Sequence, residues 1–248
     1  MSQLNSALVI GGGIAGPATA LALHKAGIHS TVYEAYASSA EGLGGTLMVA
    51  PNGLNALATI GLDQAVSAVG QPIERMVMAD ARGKSLMDIP ALPGLPASRL
   101  MWRSDLYRVV RDATTAQHIR LERGKRLVAV HETQNAITAT FDDGTTASAD
   151  ILIGADGIHS TVRRLIDPQA SEPRSDGLLG LGGESDLELP GRTDTIYFVF
   201  GKRAFLGYWL QPNGRPAWFA NIPSKQFMSA AEARAVPAED WLARLREV

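Results

Sequence analysis

Residues 9–34, VIGGGIAGPATALALHKAGIHSTVYE, constrain the fold more than any other stretch of the chain. Gly11, Gly13 and Gly16 form a G-x-G-x-x-G turn directly after the apolar run 7–10. Ala20, Leu21, Leu23 and Ala26 then recur at helical spacing, Gly27 ends the helix, and Glu34 closes a second apolar run, 31–33. The order is strand, phosphate-binding turn, helix, second strand and acid. Each residue type has a physical reason. Gly11 permits the tight turn, Gly13 has no Cβ to hold a pyrophosphate off the backbone, and Gly16 lets the helix pack close to the strand. The helix start offers free N–H groups and a positive dipole end to phosphate. Glu34 is placed to accept hydrogen bonds from ribose hydroxyls and to repel a 2′-phosphate, which favours FAD or NAD over NADP at this position. The turn alone does not decide which dinucleotide binds.

The remaining composition narrows the class. The 248 residues carry 23 basic and 25 acidic side chains, a formal charge of −2, so nothing points to nucleic acid or an anionic membrane as partner. Cysteine is absent, which removes disulfides, thiolate nucleophiles and thiolate metal sites, and fits a reducing, cytoplasmic compartment. The histidines show no metal-ligand spacing; His24 and His29 flank a helix end and read as solvated. The first apolar run leads straight into the glycine turn and reads as a buried strand rather than a signal peptide.

Further along, Gly42, Gly44 and Gly45 keep one segment close to something flat or bulky, and Pro51 opens a helix that Gly61 ends. Residues 75–89 alternate on both sides of Arg82-Gly83 as a hairpin, and Pro90, Pro93 and Pro96 make a rigid connector. Ser104 or Asp105 is expected to cap a helix reaching Thr114. Strands are predicted over 119–123, 125–132, 136–141 and 145–149, with Asp143-Gly144 as a tight turn. Residues 151–154 read as a buried strand, Asp156-Gly157 as a turn, and Ser160 as the cap of a helix holding Arg163 and Arg164. Antiparallel strands are expected over 177–184, 194–200, 203–211 and 215–222, with aromatic residues that mostly pack the core. A last helix begins at Pro237, with Trp241, Leu242, Leu245 and Val248 on one face.

Three segments together, GGGIAG with Glu34, MWRSDLYRVV around Arg103, and DILIGADGIHSTVR around Asp156, resemble the single-component FAD-dependent aromatic hydroxylases. The nearest likeness is to the urate hydroxylase, salicylate hydroxylase and tetracycline-inactivating branches, whose segments Gly44-Gly45-Thr46-Leu47 and Pro51-Asn52-Gly53 also match. The D-G-x-x-S-x-x-R pattern, here Asp156, Gly157, Ser160 and Arg163, is specific to that flavoprotein monooxygenase family and in it serves both FAD and NAD(P)H. The resemblance implies an α/β fold: a Rossmann-type FAD/NAD(P)-binding domain, 1–73 with 98–172, interleaved with a mostly antiparallel β-sheet substrate domain, 74–97 with 173–248. It implies an oxidoreductase that uses FAD, and NADPH or NADH as reductant, to hydroxylate an electron-rich small molecule with O2 through a flavin hydroperoxide. The cofactor carries that chemistry, and no side chain is singled out as catalytic.

By the same resemblance the cofactor residues are Gly11, Gly13, Ile14, Ala15, Gly16, Glu34, Ala35, Gly45, Arg103, Leu127, Asp156 and Gly157. Arg103 would lie beside the pyrophosphate and Leu127 would touch the adenine through its backbone. Arg203 matches a substrate-region arginine of the urate-type enzymes. The chain also departs from the family. A second fingerprint, a G-D-A-x-x-x-x-P-type segment at the ribityl chain, is absent, so a C-terminal half or partner chain beyond Val248 is expected. Two alternatives stay open. One is a non-catalytic or split FAD-binding subunit. The other is a flavin-dependent halogenase, suggested by the run from Trp218 to Pro223, although Ala220 replaces a signature tryptophan and a plain strand suits that run better.

Overall fold

The computed structural model describes residues 4–38, 44–225, 228 and 230–247. Gly42 and Val248 lie outside the described residues. In chain order the elements are β1 (Ser6–Ile10), α1 (Ala15–Lys25), β2 (His29–Glu34), β3 (Thr46–Val49), α2 (Pro51–Thr59), α3 (Asp63–Val69), β4 (Gln71–Ile73), β5 (Arg75–Asp80), β6 (Ser85–Pro90), β7 (Ser98–Trp102) and α4 (Arg103–Ala116). They continue as β8 (Arg120–Arg123), β9 (Leu127–Glu132), β10 (Ile137–Phe141), β11 (Thr146–Ala149), β12 (Ile151–Gly154), α5 (Thr161–Ile166), β13 (Leu178–Glu184), β14 (Thr195–Phe200), β15 (Phe205–Leu210), β16 (Pro216–Pro223), α6 (Ala230–Ala235) and α7 (Ala238–Arg246). Contacts divide them into two compact units, Met1–Gly70 with Met101–Pro173, and Gln71–Leu100 with Arg174–Val248. Among the described residues no helix is long and apolar enough to cross a membrane.

The first unit is built on a parallel sheet in the order β12-β1-β2-β8. Its central strand β1 is apolar and buried over Ala7 to Ile10, as a parallel strand covered on both faces must be. One face of β1 presents Val9 to Ala20 of α1 and Val32 of β2. The other presents Leu8 and Ile10 to Leu127, Ala139, Phe141 and Val162, drawn from the antiparallel β9-β10-β11 sheet and α5. A further core joins Leu21 to Leu54, Val66, Leu106 and Val110, so α1 is wedged between β1 and the helices α2, α3 and α4. Gly27 (φ 79°) ends α1 in the left-handed region, and the Ile28 N–H returns to the Leu23 carbonyl.

The second unit is a six-stranded sheet in the order β13-β16-β15-β14-β5-β6, antiparallel except for the parallel pair β14 and β5. The β5–β6 hairpin turns at Gly83 as expected. Phe198, Phe200, Phe205 and Phe219 pack ring against ring on one face. Tyr197 and Tyr208 stack on the other, 4.8 Å apart. The run from Trp218 to Pro223 is strand β16, paired on both sides.

Four local readings need correction. The helix over residues 103–116 has no Ser104 or Asp105 cap. It starts at Arg103, because β7 feeds directly into it and the Arg103 N–H is taken by the Gly45 carbonyl at 2.9 Å. Strands β3 and β7, for which the sequence analysis gives no strand, form because they join β4 in a three-stranded sheet of order β3-β7-β4, a partnership between segments distant in the chain. Helix α6, in an alanine-rich stretch with no cap, was not foreseen. In α7 no residue is buried; Trp241 and Leu245 are half-buried, and Leu242 stands exposed rather than joining them on a covered face.

Candidate cofactor site

The cavity of interest lies wholly in the first unit, at the carboxyl ends of β1, β2 and β12, with a volume of about 720 Å³. Crevices outside the strand ends are where open α/β sheets bind ligands, and a drug-sized pocket runs to roughly 300–1,000 Å³. Its floor is the glycine turn. Gly11 holds φ 112°, and a Cβ there would fall 2.3 Å from the Ala155 carbonyl oxygen, so the turn and β12 touch through backbone alone. At Gly16 a Cβ would fall 1.8 Å from the Gly11 carbonyl oxygen. A Cβ at Gly13 would meet nothing within 4 Å, and Gly13 lines the cavity. Each glycine therefore acts differently: two admit protein backbone, and one leaves room for something else.

Helix α1 begins beside that space without a side-chain cap at Ile14 and without an acid in its first turn. Its terminal N–H groups and positive dipole end are left to whatever enters the cavity. Glu34 stands at the adjoining wall. Its Oε2 accepts the Gly12 N–H at 2.7 Å and its Oε1 the Tyr36 N–H at 2.8 Å. A Cβ on Gly12 would sit 2.8 Å from the Glu34 Cβ, so Gly12 is what lets the carboxylate approach the turn.

Cations also line the cavity. Arg103 is set at the start of α4 by the Gly45 carbonyl, and a Cβ on Gly44 would fall 2.8 Å from the Arg103 Cδ. Arg123 donates to the Tyr107 hydroxyl at 3.2 Å and the Ser38 carbonyl at 3.4 Å. Lys125 donates to Thr145 Oγ1 at 2.8 Å and pairs with Asp143, which holds the Asp143 carboxyl down to about 2. Arg126 completes this group. Tyr33, stacked on Phe141 at 4.6 Å, lines the floor, and burial raises its phenol above the ordinary value.

At the end of β12, Asp156 turns inward. Its Oδ2 accepts the Thr161 N–H at 2.6 Å and the Val162 N–H at 3.1 Å. Ser160 donates to its Oδ1 and accepts the Arg163 N–H at 2.9 Å, while Arg163 donates to the Ile158 carbonyl at 2.8 Å. The D-G-x-x-S-x-x-R pattern is thus a self-capping loop that fixes the Gly157 turn at the cavity rim.

Of the residues singled out from sequence, Gly11, Gly13, Ile14, Ala15, Glu34, Ala35, Arg103, Leu127, Asp156 and Gly157 line the cavity together. Gly16 and Gly45 stand behind the lining, the first against Gly11 and the second under Arg103. Arg203 is exposed on the β14–β15 turn of the second unit and does not line it. Sequence reasoning passed over Gly12, Tyr36, Tyr107, Arg123, Lys125, Arg126 and His159. The available signal was the basic run Arg123 to Arg126 immediately before Leu127.

The residues fit an adenine dinucleotide: an uncapped helix start, one open glycine, an acid at ribose reach and a cationic wall. Comparisons with known proteins agree. A family model described as an FAD binding domain matches residues 5–231. The FAD-dependent urate hydroxylase of Klebsiella pneumoniae is 31% identical over 208 residues, covering 81% of this chain and 53% of that protein. The 3-amino-4-hydroxybenzoate 2-monooxygenase of Streptomyces cremeus is 34% identical, covering 86% and 55%. A crystal structure of Klebsiella pneumoniae HpxO complexed with FAD and uric acid superposes with a TM-score of 0.76 at 27% identity, over 91% of this chain and 58% of that one. The chain spans about half the length of the curated relatives it matches. With the matched model covering most of its residues, the chain belongs to the FAD binding domain family of the flavoprotein monooxygenases.

Proposed function

We propose that this chain binds FAD through the cavity of its first unit and forms the cofactor- and substrate-binding portion of an NAD(P)H-dependent monooxygenase. The observation that carries the reading is the uncapped start of α1 beside Gly13, with Glu34 and Arg103 lining the same cavity. In this reading the α1 N–H groups and Arg103 hold the pyrophosphate, Glu34 the ribose, and the self-capped Asp156-Gly157 turn the rim. Residues 1–73 and 98–172 make up the cofactor domain; 74–97 and 173–248, with Arg203, face the substrate. Bound FAD supplies the chemistry by accepting electrons from NADPH or NADH and activating O2 for transfer of one oxygen atom, the second leaving as water. The substrate is an aromatic or other electron-rich small molecule, and the cytoplasm, which supplies the nicotinamide reductant, is the proposed location.

The test is a titration of the 248-residue chain with FAD, followed by flavin fluorescence, with NADP as competitor. FAD binds, and NADP displaces it poorly because its 2′-phosphate meets the Glu34 carboxylate. Arg103→Ala weakens FAD by about tenfold or more, as expected when a charged hydrogen-bond donor is lost. Equal occupancy by NADP, or FAD affinity indifferent to Arg103, contradicts the assignment.

A further inference from the structure

The outer edge of the second unit carries apolar and cationic side chains that the fold does not cover. Strand β6 is the last in its sheet, and residues 81–96 are exposed without a break. Leu86, Met87 and Leu92 are 55%, 53% and 63% exposed, and Ile89 and Leu95 also stand in solvent. The segment is nonetheless fixed in place. It pairs with β5, the Ala91 N–H donates to the Glu74 carbonyl at 2.6 Å, and Arg75 bridges to Asp88 at 2.7 Å. A further strand does not fit flush against this edge. Ala79 faces Ser85 while Met78 faces Met87, so Leu86 bulges out of the ladder, and Pro90 has no N–H to give. Both features blunt β-pairing with a second copy or an extended peptide, and leave side chains as what the edge offers.

Charge gathers at one corner of that edge. Strand β14 runs parallel to β5 with Phe200 opposite Asp80, so the turn 201–204 lies beside the hairpin turn 81–84. Neighbouring strands are about 4.8 Å apart. The two turns therefore bring exposed Arg82, Lys84 and Lys202 to one corner, with Arg203 next on the second turn. The carboxylate there, Asp80, is turned into the hairpin, its Oδ1 accepting the Arg82 and Lys84 N–H groups at 2.9 Å each. Among the described residues no acid pairs with Arg82, Lys84 or Lys202. Phe200, 44% exposed, stands with Leu86 at the same corner. The formal charge of −2 for the whole chain conceals this local excess. Cations alone suit any polyanion. Cations beside uncovered leucine, methionine and phenylalanine suit a surface that is anionic outside and apolar beneath, which describes an anionic lipid leaflet. We infer that this corner and the β6 edge dock peripherally on an anionic lipid surface, with Arg82, Lys84 and Lys202 at the headgroups and Leu86, Met87 and Phe200 entering the interfacial layer. Such docking needs no membrane-spanning helix, and it is independent of the cofactor reading.

The experiment is co-sedimentation of the 248-residue chain with phosphatidylcholine vesicles, with and without phosphatidylserine, at about 0.1 M and about 1 M salt, where the screening length falls from about 10 to about 3 Å. The chain sediments with the phosphatidylserine vesicles at the lower salt, is largely released at the higher, and stays in solution with phosphatidylcholine alone. Arg82→Gln with Lys84→Gln weakens vesicle binding about thirtyfold, at about fivefold for each cation removed from the surface. Leu86→Ser weakens it about tenfold, the loss expected when a half-inserted leucine is withdrawn. Arg203 is left intact, and FAD affinity and the circular-dichroism melt stay at wild-type values in every variant. A folded wild-type chain that ignores phosphatidylserine vesicles overturns the inference, as does equal binding to both vesicle types. Binding that survives Leu86→Ser unchanged, with duplex DNA bound as tightly as vesicles, overturns it by showing a general polyanion patch. A dimer in sedimentation velocity that Leu86→Ser dissolves, with no vesicle binding, overturns it in favour of a second copy.

Discussion

The sharpest contrast in this site is between Gly13 and Gly16, three positions apart in one motif. At Gly16 a Cβ would fall 1.8 Å from the Gly11 carbonyl oxygen, and 3.5 Å from a Val9 methyl. No rotamer change relieves a clash with backbone, so α1 must move away from the turn and β1. Inserting atoms into a packed interior costs about 1–3 kcal/mol, and a contact this short puts Gly16→Ala at the upper end. Alanine regains about 1 kcal/mol of helix propensity over glycine, which leaves a net loss of about 2 kcal/mol. For a chain of this size that lowers the melting temperature by about 4–8 °C. Gly13→Ala meets nothing within 4 Å, so its melting temperature should stay at the wild-type value while FAD affinity falls, because the new methyl occupies the phosphate's approach. Thermal melts by circular dichroism and an FAD titration separate the two effects. A Gly16→Ala protein that melts with wild type, or a Gly13→Ala protein that is destabilised but binds FAD normally, refutes the division of labour argued for these glycines.

Two further outcomes follow from the hydrogen bonds around the cavity. Ser160→Ala removes the acceptor of the Arg163 N–H while Asp156 keeps its two helix donors, so urea unfolding should register a loss of about 1 kcal/mol, the usual worth of one N-cap; an unchanged midpoint shows that Asp156 caps α5 alone. The Asp143 carboxyl is held down to about 2 because Lys125 favours its charged form, chiefly by a hydrogen bond. A carboxyl lowered on folding contributes stability above its unfolded value near 3.8, and that stability fades as pH falls from there toward about 2. In Lys125→Met the Asp143 titration, followed by carboxyl-carbon NMR, should move back up toward 3.8 and the stability should vary less across that interval; an unmoved titration rules out Lys125 as the cause.

What the sequence determined by itself is whatever local sterics and periodicity dictate. The glycine turn, α1 and Glu34 were legible because each depends on residues within a few positions of itself: a φ that only glycine adopts readily, an apolar stripe, a strand of fixed length. The β5–β6 hairpin and the Asp143-Gly144 turn were legible for the same reason. Tertiary structure alone decided what lies far apart in the chain. Gly12 matters only because Glu34 folds onto it, and Arg123 only because Tyr107 and Ser38 receive its donors. The basic run 123–126 reads in sequence as a solvated link between strands; it becomes a cavity wall when the Lys125 N–H is taken by the Glu34 carbonyl. Helix α4 likewise takes its start from the Gly45 carbonyl, which accepts the Arg103 N–H, rather than from a cap of its own. Local preference fixes the shape of each segment, and only the burial that packs the segments together fixes which side chains share the cavity.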